Sequence, residues 1–112
     1  MKKIDLNFNK NEDAMKLLVS EMKQKRNAIY LGGGKASIEK QHKKGKLTAR
    51  ERIDKIFDDQ NYIEIGVFAA SDLYKDYGGC PGAGVILTIG YIHGRNCIVI
   101  ANDATVKAGA WF

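Results

Sequence analysis

The sequence predicts an α/β chain that, over its own 112 residues, is α+β: helices first, strands after. Three observations carry this. A helix-start signature, Thr48-Ala49-Arg50-Glu51, precedes Ile53, Ile56 and Phe57 at helical spacing. From Tyr62 onward the apolar period shortens from helical to alternating, in Tyr-Ile-Glu-Ile-Gly-Val-Phe. Two β-branched runs, 85–92 and 96–101, then flank His93-Gly94-Arg95, the pattern of a hairpin. The expected division is a basic helical region, 1–58, followed by the first strands of a layered domain, 59–112.

Taking the elements in order, Asn11 is the expected N-cap of a first helix, with Glu12 and Asp13 in its first turn. Met15, Leu18, Met22, Ala28 and Ile29 give it a loose apolar stripe. Lys23, Lys25 and Arg26 gather towards its C-terminus, where cations suit the helix dipole. Gly32-Gly33-Gly34 ends it and reads as a flexible joint. A second helix is expected over 35–44, stopped by Gly45. It is short and basic, and Ile38 is its one large apolar residue, so it must lie on something. The third helix starts at the capping box and has the clearest apolar face. Residues 58–61, Asp-Asp-Gln-Asn, form a turn. The strand expected over 62–68 leads into a Gly- and Asp-rich loop, 71–82, which holds the single proline, Pro81. The run Cys97-Ile98-Val99-Ile100-Ala101 is continuously apolar, as in a strand covered on both faces. A two-sided strand needs more layers than this length supplies, so the chain is expected to stop short of its parent domain.

Composition narrows the function classes. Apolar residues make up 45%, which supports a core and excludes wholesale disorder. No apolar run approaches the ~20 residues of a membrane span, and the lysine-bearing N-terminus lacks the apolar segment of a secretory signal. Cys80 and Cys97 have no CxxC spacing and no His/Cys cluster, so neither metal nor disulfide is expected, and a reducing, cytoplasmic setting is. The charge is lopsided. Residues 1–55 carry 15 Lys/Arg against 7 Asp/Glu, net +8; residues 56–112 carry 3 against 6, net −3. That imbalance predicts an anionic partner or contact between the two halves.

The candidate anion site is the basic cluster Lys35, Lys40, Lys43, Lys44, Lys46, Arg50 and Arg52. Arginine offers a planar fork to phosphate oxygens and lysine a movable charge. The bland alternatives are a solvated face, or Arg52 pairing with acids of the strand half. Gly32-Gly33-Gly34-Lys35 lacks P-loop spacing and follows no strand. His42 lies among lysines, His93 in the hairpin turn, and neither has a nucleophile partner by spacing. Asn102 and Asp103 follow a strand end, where layered folds bind ligands; simple strand-end capping is the competing reading. A small basic module for nucleic acid or another polyanion remains the alternative class, although no helix-turn-helix, zinc-finger or RNP-like pattern accompanies the charge.

Two stretches carry a specific resemblance. Residues 44–53, KGKLTARERI, and 101–112, ANDATVKAGAWF, resemble the N-terminal part of the carboxyltransferase (beta) subunit of biotin-dependent acyl-CoA carboxylases. The likeness extends over about residues 32–112. The second stretch is similar to the NDATVKGGAYY-like form of the methylcrotonyl-CoA branch, rather than the QDFTVFGGS-like form of the propionyl-CoA branch. Ala108 stands where the first glycine is usual. The resemblance implies part of a crotonase-like fold with leading helices. It also implies carboxyl transfer between carboxybiotin, held by a biotin carboxylase or biotin carboxyl carrier partner, and an acyl-CoA, within a homo-oligomer and without nucleic acid. The family's DSGGA-like oxyanion glycines lie beyond the position of Phe112, so no catalytic residue is assigned and the chain alone is expected to be inactive. CoA contact is assigned to Lys44, Lys46, Arg50, Arg52, Asn102 and Asp103.

Overall fold

The computed structural model describes residues 2–111. Three helices, α1 (Lys3–Tyr30), α2 (Lys35–Lys43) and α3 (Ala49–Ile56), precede three strands, β1 (Tyr62–Ile65), β2 (Val85–Ile92) and β3 (Arg95–Asn102). The strands form one antiparallel sheet in the order β1-β2-β3. Molecular extents of 61 × 42 × 23 Å reflect α1, which leaves the body as an arm.

α1 begins eight residues before the expected Asn11 cap. Its N-cap is Lys2, which makes no side-chain capping bond. Asn11 lies inside the helix, because a polar residue on an exposed face costs a long helix little. The apolar stripe is almost wholly uncovered: Met15, Leu18 and Met22 are exposed, and only Ile29 reaches the body. α2 ends in a Schellman turn. The Lys46 N–H donates to the Gln41 carbonyl at 3.1 Å and the Gly45 N–H to the His42 carbonyl at 2.9 Å, with Gly45 left-handed at φ 70°. α3 carries the full capping box: the Thr48 N–H donates to Glu51 Oε2 at 2.7 Å, and the Glu51 N–H to Thr48 Oγ1 at 3.3 Å.

The core lies between α3 and the sheet. Ile53 of α3 and Phe57, the residue that ends it, pack with Ile86 of β2, and Tyr62 stacks on Phe57 at 5.1 Å between ring centroids. Gly90 leaves the space that Phe57 fills, since a Cβ there would meet its ring at 2.7 Å. Thr88 is fully buried and satisfies its hydroxyl by donating to the Val99 carbonyl at 3.1 Å. β1 is shorter than expected: it ends at Ile65, and Gly66 turns away at φ 73°. The hairpin turn is two residues, His93 and Gly94, both left-handed, which matches strand twist. Asp58, in the turn after α3, accepts from the His93 and Gly94 N–H groups at 2.9 and 2.8 Å and ties that turn to the helices.

The expectation that β3 is covered on both faces is not met among the described residues. Cys97, Val99 and Ala101 face α3, while Ile98 and Ile100 stay exposed. With Ile63, Ile65, Leu87 and Ile89, which share their register rows, they form an open aliphatic face. The apolar run encodes a second layer that these residues do not supply.

Candidate functional site

The candidate site is a cavity of about 420 Å³ between the α2–α3 connection and the end of β3, lined by Gln41, Lys46, Leu47, Ala49, Arg52, Ile100, Ala101, Asn102 and Ala104. Each wall has a local cause. The Schellman turn fixes Lys46 beside Gln41. The capping box fixes the first turn of α3 and so aims Arg52. The β2–β3 register delivers Asn102 opposite Val85 at the strand end. Three of the six expected contact residues, Lys46, Arg52 and Asn102, thus meet at one cavity. They are exposed, and among the described residues no ion pair engages Lys44, Lys46 or Arg52. Lys44 lines a neighbouring depression of about 240 Å³ with Ser37, Lys40, Gln41, Ala104, Thr105 and Ala108. The two share Gln41 and Ala104, so the cationic rim is continuous.

Arg50 and Asp103 are placed differently. Arg50 points to the other side of α3. Its two terminal nitrogens donate to Glu64 of β1 at 2.7 and 3.0 Å, a bidentate pair. Its guanidinium lies over the Tyr30 ring, 4.3 Å from the centroid. The contact between basic and acidic halves is therefore made by Arg50, where the competing reading had placed Arg52. Asp103 is buried. It accepts from the Thr105 N–H at 2.9 Å and the Thr105 hydroxyl at 2.6 Å, and orders the turn from Asp103 to Thr105 that follows Asn102. His42 hydrogen-bonds the Glu51 carboxylate at 2.8 and 3.0 Å. The Thr48 backbone N–H foremost, and then His42, hold the Glu51 carboxyl below its ordinary range.

Sequence reasoning missed three contributors. Gln41 sits between lysines and looked like part of a solvated face; the Gly45-Lys46 turn signal would have placed it beside Lys46. Tyr30 and Glu64 become visible only once α3 is set against α1 and β1. The triple glycine has more than a hinge role: Gly33 donates its N–H to Thr105 Oγ1 at 3.0 Å and lies directly against the Thr105 carbonyl. Among the described residues no group of three or more His, Cys, Asp or Glu could hold a metal ion.

The carboxyl transferase domain model matches residues 40–112, which contain every residue that lines the cavity. The chain belongs to the carboxyl transferase domain family. It is 40% identical over 101 residues to the biotin-dependent 3-methylcrotonyl-coenzyme A carboxylase beta1 subunit of Mycobacterium tuberculosis, covering 89% of this chain and 19% of that protein. The beta subunit of P. aeruginosa geranyl-CoA carboxylase superposes with a TM-score of 0.78 at 28% identity, over 99% of this chain and 21% of that one. The transcarboxylase 12S hexamer, solved with methylmalonyl-coenzyme A and methylmalonic acid bound, superposes with a TM-score of 0.75 at 35% identity, over 82% of this chain and 18% of that one. The chain therefore spans about a fifth of the length of these relatives. Family membership replaces the nucleic-acid alternative, and the α+β arrangement is a portion of the family's crotonase-like architecture.

Proposed function

We propose that this chain supplies part of the acyl-CoA docking surface of a biotin-dependent acyl-CoA carboxyltransferase. The observation that carries the proposal is the convergence of Lys46, Arg52 and Asn102 on one cavity, with Lys44 on its rim. Coenzyme A is polyanionic, and its phosphates suit an arginine fork beside a lysine point charge. Asn102 offers an amide donor and acceptor for the nucleoside. Arg50 and Asp103 belong to the same proposal as supports: Arg50 fixes α3 beneath Arg52, and Asp103 fixes the turn that presents Asn102. These residues suit coenzyme A better than the biotin group: carboxybiotin carries a single carboxylate on an otherwise uncharged ureido ring, whereas coenzyme A carries three phosphates that a spread of lysine and arginine charges can meet.

A methylcrotonyl-type acyl-CoA is the best-supported substrate class, because the ANDATVK stretch has that branch's form. Such a subunit accepts carboxyl from carboxybiotin on a carrier partner and works as a homo-oligomer. Free thiols at Cys80 and Cys97 support a cytoplasmic setting.

Titrating the chain with coenzyme A, dephospho-coenzyme A and pantetheine, read by amide chemical shifts, tests the docking surface. Coenzyme A binds tightest and pantetheine weakest, with shifts mapping to residues around Lys46 and Asn102. Lys46→Ala and Arg52→Ala each weaken coenzyme A by ~10-fold, the scale of one charge-assisted bond. Pantetheine binding as well as coenzyme A, or a double variant binding unchanged, returns the cluster to a solvated basic face.

A further inference from the structure

We propose that α1 is an assembly arm that pairs with α1 of a second copy of this chain, antiparallel, through a heptad seam. The proposal is independent of the acyl-CoA reading. Along α1 the residues Ile4, Phe8, Asn11, Met15, Leu18, Met22, Lys25 and Ile29 alternate at spacings of four and three. That is the seam of a helix pair. Five of them, Ile4, Phe8, Met15, Leu18 and Met22, are 42–79% exposed, whereas Ile29 is buried in the body. At about 1.5 Å per residue the 28-residue helix is about 42 Å long. Only its last turns touch the body, through Ile29 and the Arg26–Tyr30–Arg50 stack. A surface helix whose apolar stripe ends at the body, with most of its length beyond, is built to meet another helix.

Charge decides the partner's direction. In a parallel pair Lys25 meets Lys25 of the other copy inside the seam, two like charges with water excluded. In an antiparallel pair the layers clear of the bodies are Phe8–Lys25, Asn11–Met22 and Met15–Leu18, each occurring twice; Ile4 comes level with Ile29, which its own body already covers. Lys25 then lies over an aromatic face with its stem on apolar surface. The same register sets Asp5 beside Arg26 of the other copy at both ends of the seam. Asn11 against Met22 weakens the pair but penalises slipped registers, as single polar seam residues do. The body of each copy starts at Ile29, so antiparallel pairing also carries the two bodies to opposite ends. With only the central layers fully apolar, the association is weak and concentration-dependent.

Sedimentation of the 112-residue chain from micromolar concentration to about 1 mM, the weak end of specific association, tests this. A monomer–dimer equilibrium is expected. Met15→Glu with Leu18→Glu abolishes it while helicity by circular dichroism is retained, and Ile98→Lys with Ile100→Lys on the open sheet face leaves it in place. A monomer throughout, or association lost only with the sheet-face variants, overturns the proposal. Direction is read without disrupting the seam's centre. Chains bearing Phe8→Cys and Lys25→Cys, both with Cys97→Ala, are mixed under mild oxidation. Mixed disulfides in excess support antiparallel pairing; a predominance of the two symmetric disulfides refutes it.

Discussion

Gly33→Ala is the most direct test of how the helical and strand parts are joined. A Cβ at Gly33 sits 1.7 Å from the Thr105 carbonyl oxygen and 2.7 Å from its carbonyl carbon. Side-chain carbons are essentially never found closer than 3.0 Å, so the two backbones must separate by at least 1.3 Å. The obstacle is backbone on both sides, and no rotamer change relieves it. Overpacking of this kind costs about 1–3 kcal/mol. Separation also breaks the bond from the Gly33 N–H to Thr105 Oγ1, about 1 kcal/mol more. A total of about 2–4 kcal/mol is a large share of the ~5–15 kcal/mol that holds a domain folded. At about 4–8 °C per kcal/mol it lowers Tm by roughly 8–32 °C. The Asp103–Thr105 turn carries Ala104 and follows Asn102, so the same variant also weakens coenzyme A binding. Urea and thermal unfolding followed by circular dichroism make the measurement. Gly45→Ala is the control: no atom lies within 4 Å of its added Cβ, and only the left-handed backbone, φ +70°, costs it about 1 kcal/mol. If Gly33→Ala unfolds within about 0.5 kcal/mol of the parent, the joint is looser than its geometry and the reasoning fails.

Two pH effects follow. Asp58 is held below its ordinary 3.8 by the N–H of Gly94 foremost and then of His93, and Glu51 below 4.5 by the Thr48 N–H foremost and then by His42. A depressed folded value means the stabilisation is full above the ordinary value and is lost as pH falls through the folded one; the urea midpoint should drop on acidification, and Asp58→Asn with Glu51→Gln should flatten that slope. At the alkaline end, burial foremost, and then the hydrogen bond its hydroxyl donates to Asp54, push Tyr62 up from 10.0 to about 12. The unfolded phenol ionises first, so stability present below pH 10 is lost between about pH 10 and 12. Tyr62→Phe removes that component, and one tyrosine in the parent's ultraviolet titration should ionise late; a parent whose tyrosines all titrate near pH 10 refutes the Tyr62 environment.

What was legible in the sequence was what local chemistry decides. The capping box at Thr48 and Glu51, the stop at Gly45 and the hairpin around Gly94 each depend on residues within a few positions of one another, and each formed as read. The position of α1's start was not legible, because the helix begins at Lys3 without a side-chain cap while cap-type residues, Asp5, Asn7, Asn9 and Asn11, lie inside it. The grouping of Lys46, Arg52 and Asn102 was foreshadowed by residue type and by resemblance. Only the register of β2 with β3, and the seating of Ile53 and Phe57 on Ile86, turned three separated residues into one cavity. The division between Arg50 and Arg52 was the hardest to read. They are two positions apart in a helix, about 200° around its axis, so one faces the sheet edge and the other the cavity. Which one did which depended on Phe57 choosing the inward face, a choice sealed by the missing side chain of Gly90. The acidic half of the chain thereby took up one arginine and left the other facing the cavity. That asymmetry is why a single basic run holds both a structural clamp and a candidate anion contact.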